Sequence, residues 1–126
     1  MADPTLTGAN ITFHTNDEDK DWDTKVFVVV RLGDAQGPVV ARIAGFFTKF
    51  DDRSDAGPFD LWVVTPSTRE ELKRGQVEVS IKPNGNDTWR FNFLLDLIFS
   101  DGGHLIAKAK GIELTEDSGP QVFGIE

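Results

Sequence analysis

A chain of 126 residues with 39% apolar residues and no cysteine has the size of one domain and can bury its own core, and it excludes disulfides, thiolate metal sites and cysteine nucleophiles. The net charge of −8 and the presence of only two histidines argue against nucleic acid as a partner and against a zinc site, and favour cations as ligands. No apolar run approaches the roughly 20 residues needed to cross a bilayer as a helix, and residues 1–8 lack the basic start and apolar stretch of a signal peptide, so the chain is expected to be soluble and either to stay inside the cell or to be a trimmed mature form.

Runs of Phe, Val, Ile and Trp punctuated by Gly, Pro, Asn and Asp predict an all-β fold over 1–126, a single antiparallel, jelly-roll-like sandwich of seven or eight strands. The first strand is expected at 10–15. The segment that follows, Thr15-Asn16-Asp17-Glu18-Asp19-Lys20-Asp21-Trp22-Asp23-Thr24, places aspartate at every second position from Asp17 to Asp23. Calcium takes six to eight oxygen ligands, so a short turn dense in Asp and Asn is an economical way to assemble them. An EF-hand fits less well, because Trp22 stands where its turn needs glycine and Val28 where its bidentate glutamate belongs.

The second strand, 25–32, carries Val26-Phe27-Val28-Val29-Val30 and is apolar on both faces, as expected of a central strand. Strands are expected next at 39–46 and 59–65. Residues 66–74 carry the one helical signal, a turn or two capped by Ser67 or Thr68 and ended by Gly75. The strand at 76–82 alternates Val77, Val79 and Ile81 with polar residues. The strand at 88–99, expected to contain a break or bulge, alternates Trp89, Phe91, Phe93, Leu95, Leu97 and Phe99 with an outer face. A last strand is expected at 104–114. Trp62 and Trp89 are read as core or half-buried, and His14 as pointing away from the core.

If consecutive strands are antiparallel, segments 16–24, 47–58 and 83–87 leave the sandwich at the same end. Three acidic loops then converge, bringing Asn16, Asp17, Asp19, Asp21 and Asp23 towards Asp51, Asp52, Asp55 and Asp87. Such a crowd of carboxylates is self-repelling unless a cation offsets it. The alternative is that these residues are ordinary solvated turn formers. Trp22, within the first acidic segment, and Phe47, entering the second, are candidate contacts with a membrane or ligand.

The order of features resembles the PLAT, or lipoxygenase-homology, family of β-sandwiches. The resemblance rests on Thr15-Asn16-Asp17 closing the first strand, Asp23-Thr24 closing the acidic turn, the strand Val26–Gly33, and the later Phe59-Asp60-Leu61 and Asp87-Thr88-Trp89. It departs from the family where Asn16 replaces the usual glycine. The family is similar in architecture to the calcium- and lipid-binding domain of protein kinase C. The resemblance implies Ca²⁺ as cofactor, Asn16, Asp17, Asp19, Asp21 and Asp23 as first-loop ligands, and docking onto a membrane lipid or a protein. No enzymatic signature emerges, because no nucleophile elbow accompanies His14 and no carboxylate pair stands out. The expectation is a non-catalytic calcium-binding module. The alternatives are a calcium-dependent carbohydrate-binding module and a plain structural or interaction domain.

Overall fold

The computed structural model describes residues 4–16, 24–33, 37–45, 53–82, 88–115, 117 and 119–125. In chain order its elements are β1 (Leu6–Thr15), β2 (Lys25–Arg31), β3 (Val39–Gly45), β4 (Asp55–Asp60), β5 (Trp62–Val63), α1 (Arg69–Leu72), β6 (Gln76–Lys82), β7 (Thr88–Phe99), β8 (His104–Thr115) and β9 (Gln121–Gly124). They form two antiparallel sheets packed face to face, one ordered β4-β1-β7-β8 and the other β5-β3-β2-β6-β9. The expected all-β sandwich is therefore what the chain forms.

Period-two alternation drives this arrangement, because a strand with one apolar face must bury that face against a second sheet. Every apolar residue expected on the inner side of β7 is buried, from Trp89 to Phe99, and Val26, Val28 and Val30 of β2 face them across the core with Val77 and Val79 of β6. Each such side chain contributes roughly 1.5–3 kcal/mol by leaving water. The indole of Trp89 stacks on Phe91 at 3.8 Å between ring centroids, and Phe13 packs against both rings.

Two differences from the expected strands have clear causes. The strand anticipated at 59–65 is two strands in two sheets: Asp60 pairs with Asn10 of β1, whereas Trp62 pairs with Arg42 of β3. Leu61 makes the crossing, buried and with its N–H donated to Ala9 O at 2.9 Å. The break anticipated in 88–99 lies on the facing strand instead. Phe91 pairs with Ile112 and Phe93 with Ala109, so β8 carries an extra residue there. Gly111 takes it up at φ 67° and donates its N–H to Asn92 Oδ1 at 2.9 Å. β1 also starts earlier than expected, at Leu6, and β9 was not anticipated.

The helical turn forms where expected. Thr68 is its N-cap, and its hydroxyl accepts from Glu71 N–H while the Glu71 carboxylate accepts from Thr68 N–H, a reciprocal capping box. This turn closes one end of the sandwich and ties the sheets together. Arg69 pairs with Asp101 in the β7–β8 turn, Leu6 N–H bonds Ser67 O at 2.8 Å, and the turn leads directly into β6, whose Gln76 pairs with Arg31 at the end of β2.

Candidate functional site

Because both sheets are fixed at the α1 end, their opposite strand ends form a second common rim. On it lie Thr15, Ser54, Asp55, Thr88 and Thr115 of one sheet's strands and flanks, and Lys25, Gly45 and Lys82 of the other. These residues flank the three acidic segments. The antiparallel parity expected from sequence therefore holds for the strand ends.

The necks of the first two segments are bonded to each other. Thr15 N–H donates to Ser54 O at 2.9 Å, Arg53 N–H donates to Asn16 O at 3.0 Å, and Asn16 N–H donates to Arg90 O at 2.8 Å. Asn16 is fixed further by its side chain, whose Nδ2 donates to Asn92 Oδ1 at 3.1 Å. Beneath this neck the buried Trp89 Nε1–H donates to Thr15 Oγ1 at 3.1 Å. Arg53 has φ 57°, so the chain turns sharply into β4.

Of the candidate ligands, Asn16 and Asp55 belong to the described residues. Asn16 sits half-buried on the rim. Asp55 opens β4, so the second segment is shorter than the 47–58 expected, and its Oδ1 lies 2.7 Å from His14 Nδ1. His14 points outward from β1, as expected. Asp17, Asp19, Asp21, Asp23, Asp51, Asp52 and Asp87 lie outside the described residues, as do Trp22 and Phe47. Among the described residues no group of three or more His, Asp or Glu side chains is arranged to hold a metal ion.

A second feature escaped the sequence reading. Trp89 is buried as expected, but Trp62 is 77% exposed. It stands on the outer face of the five-stranded sheet, in cross-strand register with Arg42 and, beyond it, Val29. Together with Phe27, Ala44 and Asp60 these residues line an open depression of about 760 Å³. A two-residue strand is too short to show a period, so nothing in the local pattern separated Trp62 from the core; the signal available was Leu61, which claims the inward position immediately before it.

No protein-family model matches the chain, and no curated protein matches its sequence.

Proposed function

We propose that this chain is a non-catalytic calcium-binding β-sandwich that docks through its acidic rim onto a membrane surface or a protein partner, as the resemblance to PLAT domains implies. The observation that supports this most is the hydrogen-bonded neck. Asn16 carries the start of the first acidic segment and Arg53 the exit of the second, and the two backbones are joined directly at 3.0 Å. Two acidic segments springing from one point concentrate negative charge that a divalent cation would offset. With its Nδ2 turned to Asn92, Asn16 keeps Oδ1 as the oxygen for a cation.

In this reading Asn16, Asp17, Asp19, Asp21 and Asp23 are the primary ligands, and Asp51, Asp52, Asp55 and Asp87 complete or tune the site. Bound Ca²⁺ inverts the local charge and bridges to a phosphate or carboxylate on the partner, while Trp22 and Phe47 enter the apolar boundary. Sedimentation with phosphatidylserine vesicles tests the membrane form. Pelleting in Ca²⁺ but not in EDTA, weakened by Trp22→Ala, is expected; no calcium-dependent pelleting would leave a protein as the partner.

A further inference from the structure

The depression on the outer face of the five-stranded sheet combines an exposed indole and a donor on that sheet with an acceptor, Asp60, at its edge where the chain crosses from β4, and this combination has a specific ligand chemistry. Trp62, Arg42 and Val29 occupy adjacent positions on three neighbouring strands, and directly opposed side chains of this kind start about 5 Å apart. Phe27 and Ala44 form the next row towards the acidic rim, and Asp60 stands beside Trp62. Farther along the same sheet Arg31 and Glu78 are paired at 3.2 Å. Arg42 and Asp60, by contrast, have no side-chain partner among the described residues.

We infer that this depression is a binding site for a neutral carbohydrate chain, with Trp62 as the stacking platform. The apolar C–H face of a pyranose packs on a flat indole, which supplies a large rigid contact area at low entropic cost. Hydroxyls around the ring need donors and acceptors in the ring plane, and Arg42 and Asp60 provide one of each beside the platform. Phe27, Val29 and Ala44 make the floor apolar, as expected where a ligand replaces water.

Charge selects among planar ligands. At a net charge of −8 the protein repels nucleic acids and acidic polysaccharides at long range, whereas a neutral glycan meets no such barrier. The row of outward positions at this level continues through Glu78 to Val122 of β9. It crosses five strands spaced about 4.8 Å apart, so an oligosaccharide rather than a single sugar matches its length. This site is separate from the acidic rim and needs no cation.

Affinity electrophoresis through gels containing soluble β-glucan, xylan or galactomannan tests the inference, run with the intact chain in CaCl₂ and in EDTA. Retardation by at least one polysaccharide is expected, unchanged by EDTA and weakened about tenfold or more by Trp62→Ala. Arg42→Ala and Asp60→Asn should each weaken it several-fold. Circular dichroism melts of the Trp62→Ala protein confirm that a loss is not unfolding. No retardation by any of the three, or retardation that Trp62→Ala leaves intact, would overturn the inference. Binding abolished by EDTA and by Asp21→Asn would also overturn it, by moving the sugar to the rim; a protein that fails to bind calcium yet binds glycan would leave it standing.

Discussion

Trp89 donates its buried indole N–H to the hydroxyl of Thr15 at 3.1 Å, and Thr15 is the last residue of β1 before the first acidic segment. The largest side chain of the core is thereby bonded to the point from which that segment departs. This hydrogen bond ties the rim to the core.

Thr15→Val tests this link. The substitution keeps the shape and removes the acceptor from a buried donor, which costs about 1–3 kcal/mol. Thr15→Ser should recover most of the loss, because the hydroxyl is what matters. Urea unfolding of the three proteins measures it, with an unchanged dependence on denaturant expected for all.

Gly57 makes a second prediction about the rim. It sits at φ 112° where β4 passes β1, and a Cβ placed on it would stand 2.8 Å from Ile11 O. Gly57→Ala should therefore destabilise the fold by about 1–3 kcal/mol. Because β4 carries the exit of the second acidic segment, the variant should also show a smaller calcium-induced rise in melting temperature than the parent.

The opposite end of the sandwich carries a pH-dependent contact. The Arg69 guanidinium, and then the Gly103 N–H, hold the Asp101 carboxyl below its ordinary range, and Asp101 in turn raises Arg69. A carboxylate with a lowered folded pKa stabilises the fold above its unfolded value, and the contribution disappears as pH falls through the folded value. Asp101→Asn should thus melt lower than the parent at pH 7, with the gap narrowing below about pH 4. Melting curves across that range decide it, and added salt should shrink the gap because the Asp101 carboxylate is exposed and Arg69 only half-buried.

Trp62 should contribute almost nothing to stability. At 77% exposure its replacement by alanine is expected to change unfolding free energy by about 0.5 kcal/mol or less. Trp89→Ala, by contrast, should cost about 3–5 kcal/mol.

The sandwich was legible because its long strands carry strong alternation. In β7 six inward apolar residues leave one register possible, and slipping by one would expose them all. The capped turn at Thr68 was legible for a similar reason, since Thr68 and Glu71 stand at the spacing a capping box needs. β5 and the sheet crossing at Leu61 were not, because a two-residue strand has no period and its place is decided by pairing with Arg42, some twenty residues away. The extra residue on β8 was misplaced onto β7 because a bulge belongs to a pair of strands, and only their register assigns it to Gly111. At the candidate site the parity of the strand ends was legible in the order of the strands, whereas the bonding of Asn16 to Arg53 required three-dimensional pairing.

The melting temperature of the intact chain in EDTA and then in about 1–5 mM CaCl₂, with MgCl₂ as control, decides whether the acidic rim binds calcium as proposed, because a cation that binds only the folded state must raise stability by mass action. A calcium-selective rise of several degrees that Asp19→Asn or Asp21→Asn removes is expected. An unchanged melting temperature in CaCl₂ would contradict it and leave the acidic segments as solvated turns.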